Sequence, residues 1–394
     1  MKRIFITGLA LLGMLRVAAQ DTIPADSTSY KAQKLKLEEI NLVSSYYKQD
    51  GNNSAVTGGL GTEKLTDISN SIDVKFVKYG LSGKKHTLDV EVSVDQYSSA
   101  SSDMVDLSAN TSASYSDIRV YPSLSYTVEN EEKGNTLGAG VSSSTEYDYQ
   151  SFGGNVSYSK KTKDRNGEFT GKFQAYLDQV KLVTPTELRA DIGNGGTEGR
   201  NTFVGSFSYS QIVNQNFQLL FQADIVTQQG YLSLPFHRVY FNDGSVHQEK
   251  LPDSRFKIPL AMRASYFLGD NVIIRAYYRY YTDDWKLTSH TADLEIPVKI
   301  SPFFSISPFY RYYTQSAVKY FKPFEQHTGS EEFYTSNYDL SKFDSSFFGI
   351  GIRLAPPNGV FGIKYFNALE LRYGHYTRST QLTSDIISLN LKFK

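Results

Sequence analysis

The sequence predicts an all-β chain folded as an up-and-down antiparallel barrel that crosses a membrane. Three observations predict it. Long segments alternate apolar and polar side chains with a period of two, which sets one greasy face against one polar face. Past the first twenty residues, no stretch approaches the 18 or more unbroken apolar residues of a membrane helix. The connections also fall into a short set and a long set at opposite ends, the loop pattern of outer-membrane barrels.

The bulk numbers set limits. The chain has 394 residues and no cysteine, with 41 Lys plus Arg against 41 Asp plus Glu. A net charge of zero offers nothing to nucleic acid, and without thiols there is no disulfide framework, thiolate metal site or cysteine nucleophile. Tyr (29) and Phe (25) are abundant while Trp (1) and Met (4) are scarce, a composition that favours strands.

At the N-terminus, Lys2 and Arg3 precede an apolar run over residues 4–15, and Val17-Ala18-Ala19 supplies small residues for cleavage. This is the pattern of a secretory signal, expected to be cut after Ala19. The apolar run is too short to span a bilayer. Residues 20–37 read as a flexible periplasmic lead-in, and the barrel as residues 38–394.

Within the barrel, residues 38–47 form the first expected strand, and 51–67 a loop dense in Gly, Asn and Thr. Ile72, Val74 and Phe76 then oppose Ser71, Asp73 and Lys75. After a turn at 82–85, Leu88, Val90, Val92 and Val94 oppose Asp89, Glu91 and Asp95. Further strands are expected at 115–128, 136–149, 152–162, 168–180, 202–213, 217–228, 255–268, 271–283, 288–300, 303–315, 346–355, 361–376 and 381–393. That makes about sixteen, with fourteen as the alternative. Long connections fall at 50–67, 98–114, 181–201, 229–254 and 316–345. An even strand count puts both termini on the side of the short turns, the periplasmic side. The last strand carries Ile387, Leu389, Leu391 and Phe393 on one face, like the terminal strand of outer-membrane barrels, although the final residue is Lys394 rather than Phe.

Segment 271–285 shows the design most clearly. Val272, Ile274, Ala276, Tyr278 and Tyr280 share one side, and Arg275, Tyr277, Arg279, Tyr281 and Asp283 the other. The polar side is assigned to the lumen. The same parity turns Arg263, Arg311, Arg353 and Arg372 inward, and on the early hairpin Asp73, Asp89, Glu91 and Asp95. The two groups are about eight strands apart in a ring of about sixteen, so acid and arginine are expected on opposite walls. Such charges either brace the interior as ion pairs or tune passage through it. Tyr278, Tyr280, Tyr310, Tyr312 and Tyr373 are assigned to the lipid-facing wall and its interfacial girdle, and Asp283-Asp284-Trp285 to the outer rim.

No catalytic constellation emerges. There is no G-x-S-x-G elbow, H-E-x-x-H or phosphate-cradling loop. His237 and His247 share a loop with Asp243 between them, but that spacing reads as solvated loop histidines rather than a metal site. Asp103 and Asp106 read as part of an acidic loop facing water rather than a calcium site. No enzyme, metal or cofactor is expected.

The segments G-N-N-S-A-V-T-G-G-L-G-T-E-K-L-T-D (51–67), D-Q-Y-S-S-A-S-S-D (95–103), Y-R-Y-Y-T-D-D-W (278–285) and F-Y-R-Y-Y-T-Q-S-A (309–317) resemble an uncharacterised family of Gram-negative outer-membrane β-barrels known only as a domain of unknown function. The resemblance runs from about residue 38 to the end. It implies an outer-membrane barrel, inserted by the outer-membrane assembly machinery into the lipid bilayer. It also implies partnership with periplasmic thioredoxin-like or flavin-attachment proteins, whose genes often lie nearby. It carries over no catalytic or ligand residue. The expected function is a channel or transporter for small polar solutes. The alternative is a non-conducting scaffold or export partner whose large loops bind other envelope proteins, and an outer-membrane enzyme comes last.

Overall fold

The structure, a computed structural model, describes residues 34–80, 83–99, 116–193 and 195–394. The expected signal peptide at 1–19, most of the lead-in, and the loop with Asp103 and Asp106 lie outside the described residues.

Nine strands come first: β1 (Lys36–Asp50), β2 (Leu65–Tyr79), β3 (Lys84–Ser99), β4 (Ser116–Asn130), β5 (Asn135–Thr145), β6 (Tyr149–Lys161), β7 (Gly167–Lys181), β8 (Thr197–Asn214) and β9 (Phe217–Gly230). A small ribbon, β10 (Arg238–Tyr240) and β11 (Val246–Gln248), interrupts the series within a loop. The remainder are β12 (Ser254–Leu268), β13 (Val272–Asp283), β14 (Thr288–Glu295), β15 (Val298–Ser301), β16 (Phe304–Gln315), β17 (Phe343–Leu354), β18 (Phe366–Arg378) and β19 (Leu382–Phe393).

Each wall strand pairs antiparallel with its sequence neighbour, and β1 closes the ring on β19 from Ile40↔Phe393 to Asp50↔Thr383. Strands β14 and β15 are two halves of one staircase between β13 and β16, so the barrel has 16 strands. Pro297 separates the halves because it has no N–H to give the ladder. Closure leaves no unpaired sheet edge, the condition for placing strands in lipid.

The faces follow the alternation. Leu137, Val141, Phe152 and Val156 point outward and are 63%, 61%, 57% and 55% exposed. A protein in water would bury such residues, whereas a ring of them is what a bilayer solvates. Tyr278, Tyr310, Tyr312 and Tyr373 also stand outside. Their hydroxyls meet His290 (2.7 Å), Ser346 (3.0 Å), Asp344 (3.1 Å) and Asp385 (2.7 Å), as suits an interfacial aromatic girdle.

One end of the barrel carries short turns between β2–β3, β4–β5, β6–β7, β8–β9, β12–β13 and β15–β16, and the longer 355–365 segment before β18. The expected strand over 361–376 starts later, at Phe366, because Gly359 and Phe361 both have positive φ and fold the chain back. Phe366 then stacks on Phe393 (4.9 Å) beneath Phe361. The opposite end carries the long connections 51–64, 182–196, 231–253 and 316–342, together with short ones at 146–148, 284–287 and 379–381.

The long loops are folded. Leu251, Trp285, Leu287 and Val318 make a buried cluster beyond the barrel wall, flanked by Leu232, Tyr320, Phe321 and Leu340. Trp285 lies at the long-loop end of the barrel, as expected, and is a core residue of the loop layer there. Its indole donates to the Ser254 carbonyl (2.9 Å), and the Arg255 guanidinium covers its ring (4.2 Å).

Candidate functional site

The lumen holds a cavity of about 1240 Å³ against the wall made by β12–β19 and β1. Period-two alternation on these strands turns every second residue toward it. Of the candidate lumen charges, Arg263, Arg275, Arg279, Arg311 and Arg372 all line it. Arg353 sits opposite Glu370 on the neighbouring strand and lies outside the cavity.

Neighbouring strands supply the counter-charges. Arg311 Nε lies 3.0 Å from Asp293, its direct cross-strand partner. Glu295 accepts from Arg275 (3.1 Å) and, with its other oxygen, from Arg372 (2.9 Å). Arg372 belongs to β18, three places around the ring from β14, so it reaches Glu295 over the intervening wall. That reach requires a shallow wall. Gly349 and Gly374 face each other on β17 and β18, and a Cβ on Gly349 would stand 2.0 Å from the Tyr373 carbonyl oxygen and 2.7 Å from the Phe309 ring. With no side chains there, Phe309 and Phe347 pack together (5.2 Å) and the Arg372 guanidinium lies over Phe309 (5.1 Å).

The acidic hairpin takes a different place. Asp73, Asp89, Glu91 and Asp95 do not line the cavity, and each has local partners. Asp73 accepts from Asn41 (3.0 Å), Asp89 faces Lys75 (3.7 Å), and Glu91 accepts from Ser71 (3.0 Å). Asp95 is buried and takes bonds from Ser69 (2.6 Å), Tyr121 (2.9 Å) and Arg119 (2.6 Å). The hairpin is thus held by bracing contacts. The opposite-wall expectation also needs correction. Strands β12 and β13 do stand across the ring from β2 and β3, but β18, with Arg372, is only three strands from β2. The inward arginines spread around a broad arc because they sit on every strand from β12 to β18 except the polar stretch of β14–β15.

Above the cavity, Glu63, Asp339 and Arg378 close its upper edge. Arg378 donates to Asp339 (2.6 Å), with Glu63 at 3.8 Å. Burial, reinforced by the nearby Asp339 charge, pushes the Glu63 carboxyl up to about 7.

The loop layer lies beyond this edge. Arg238, on the β10 ribbon, donates to the Val56 carbonyl (2.8 Å) and grips Glu187 (3.1 Å), tying together loops rooted at β1–β2, β7–β8 and β9–β12. Glu249 accepts from Thr335 Oγ1 (2.6 Å) and the Leu234 N–H (2.8 Å), which joins in the loop rooted at β16–β17. Phe241 packs against His247 with tilted rings (4.2 Å) and meets Tyr334 edge-on (5.0 Å). Loops rooted so far apart around the ring meet only by crossing the mouth, so the cavity opens beneath a folded cover. Burial pushes Glu249 up to about 7 and His237 down to about 3. His237 was expected in water but is buried, and so is His327. One hint of this cover is legible in the sequence, the Phe, Tyr and Leu content of loops 229–254 and 316–345.

A closed barrel with an apolar outer belt, an aromatic girdle and a charged lumen defines a transmembrane β-barrel. Among such barrels, this chain belongs to the family described as a protein of unknown function (DUF3570), whose model matches residues 2–379. No curated protein matches it. Solved structures similar to it include OccK1 (OpdK) of Pseudomonas aeruginosa, at 9% identity and TM-score 0.43, covering 90% of this chain and 97% of that one. A bacterial polysaccharide outer membrane secretin matches at 9% identity and TM-score 0.44, covering 90% and 98%. A deletion mutant of the TodX monoaromatic hydrocarbon channel matches at 9% and 0.42, covering 90% and 89%.

Proposed function

We propose that this barrel sits in the outer membrane and works as a channel for small polar solutes, with no catalytic role. One observation carries the reading: a cavity of about 1240 Å³ within the lumen, lined by arginines, carboxylates and aromatic rings. Pore-lining charge of this kind sets what passes. The short-turn end, where β1 begins and β19 ends, then faces the periplasm, and the loop layer faces outward as a cover that narrows the entrance. The test is single-channel recording of the refolded protein in planar bilayers, beside an Arg238→Met variant with a loosened cover. Discrete conductance steps in either protein support the channel. Silence in both, at every voltage, would overturn it.

A second reading, a non-conducting barrel that holds envelope partners such as thioredoxin-like or flavin-attachment proteins, is favoured by the ordered loop layer itself. Capture from native membranes in mild detergent then returns a stoichiometric partner. Recovery of the barrel alone counts against it.

A further inference from the structure

We propose that Arg263, Arg275 and Arg279 form an oxyanion-binding site on the β12–β13 wall of the cavity, which takes the carboxylate or phosphate group of a small solute. The inference rests on reading this lumen as a solute path, and it names the chemistry of what the path selects.

The register sets the arrangement. Arg263 stands directly opposite Tyr277, and Arg275 and Arg279 lie two residues to either side of Tyr277 on the same face. Each is therefore a diagonal neighbour of Arg263, at the ~7–8 Å spacing of such pairs. Arg263 covers the Tyr277 ring at 5.7 Å.

Two carboxylates face these arginines from β14, Asp293 opposite Tyr277 and Glu295 opposite Arg275, and Asp293 is taken by Arg311. Glu295 is the one described carboxylate that pairs with any of the three, and it divides its two oxygens between Arg275 and Arg372. Arg263 and Arg279 form no ion pair with a described carboxylate. Elsewhere in the lumen several arginines have a carboxylate partner: Arg119 has Asp95, Arg200 has Asp178, Arg255 has Asp283 and Arg311 has Asp293, while Arg353 faces Glu370 across the strands without pairing with it. Over the whole cavity, six arginines stand against four carboxylates, an excess of two positive charges. Like charges held together on a wall repel, and an oxyanion between them removes that cost while filling the planar donor forks that guanidinium presents. The aromatic side chains Phe309, Tyr313, Phe343 and Phe347 line the same space and give an organic solute a surface for its apolar part.

The test is calorimetric titration of the detergent-solubilised full barrel with sodium benzoate, sodium acetate, sodium phosphate and neutral benzyl alcohol. Saturable binding of at least one oxyanion is expected, weakened by added salt, with none for benzyl alcohol. Benzoate or acetate alone assigns a carboxylate solute, and phosphate alone a phosphorylated one. The Arg263→Gln, Arg279→Gln double variant should lose at least tenfold in affinity. The single Arg279→Gln variant should lose at least threefold and serves where the double variant does not refold. Arg353→Gln, which removes lumen charge outside the cavity, should stay within twofold. No saturable oxyanion binding by the folded barrel, or equal binding by the variants, would overturn the proposal. Conductance measured in parallel separates the two readings. A channel without anion preference and without oxyanion binding keeps the channel and removes the site. Saturable binding without conductance keeps the site and removes the channel.

Discussion

Replacing Arg238 with methionine tests whether the loop layer acts as one cooperative cover. Arg238 is only 6% exposed. It donates to the Val56 carbonyl at 2.8 Å and to Glu187 at 3.1 Å, so a single side chain joins three loops. Methionine keeps most of the stem and removes the donors. A charge-assisted hydrogen bond contributes about 1.5–3 kcal/mol, and a buried carbonyl left unpaired costs about 1–3 kcal/mol. The Glu187 side chain is 43% exposed, so water replaces much of what that carboxylate loses and its share is discounted. Closure of the cover should then weaken by about 2–4 kcal/mol, a change of roughly 30- to 1,000-fold in the opening equilibrium. The barrel wall should keep its stability. Amide exchange at 51–64 and 231–253 reads the opening directly. The only tryptophan, Trp285, is buried in the same layer and gives a second readout through iodide quenching. Exchange within about threefold of wild type in both loops, with unchanged quenching, would refute the idea that Arg238 ties the cover together.

Glu249 should make the cover sensitive to pH. Burial raises its carboxyl from 4.5 to about 7, so the folded layer holds this proton more tightly than the open one. The resulting stability is complete below pH 4.5 and is lost as pH rises through about 7, on the order of 3 kcal/mol for a shift of that size. Loop exchange, corrected for intrinsic rate, should accelerate between about pH 4.5 and 7, and Glu249→Gln should flatten most of that rise; a profile unchanged by the substitution would count against the assignment. Arg119→Ala leaves the buried Asp95 with only Ser69 and Tyr121. Because Arg119 is half-exposed, the loss in urea unfolding from lipid vesicles should be modest, about 1–2 kcal/mol. A change under about 0.3 kcal/mol would show that Asp95 does not depend on the pair.

Legibility in the sequence varied with the range of the interaction. Strand β13 was readable to within one residue at its start because its two faces differ along its length, with Ile273 the lone apolar residue on the polar side. The segment 288–300 reads as a single strand, and only the ladder shows its break at Pro297, whose missing N–H is visible in the sequence. The late start of β18 depends on positive φ at Phe361, a conformation that nothing in a phenylalanine announces. For the lumen, parity indicates the side of the wall a residue takes. It is silent on which carboxylate reaches it: Arg275 with Glu295 is an adjacent-strand pair, whereas Arg372 with Glu295 spans three places in the ring.

By itself, then, the sequence determined the all-β class, the up-and-down order, the outward apolar face and the separation of loops from turns. All four follow from the period of a strand and the length of a connection, which act over a few neighbouring residues. Only the tertiary structure decided that Trp285 is buried, that His237 is out of water, that Glu295 serves two arginines, and that four loops cross the mouth above the cavity. These depend on residues tens to hundreds of positions apart. They meet only once the ring closes through β1 and β19, and closure is a property of sixteen strands together.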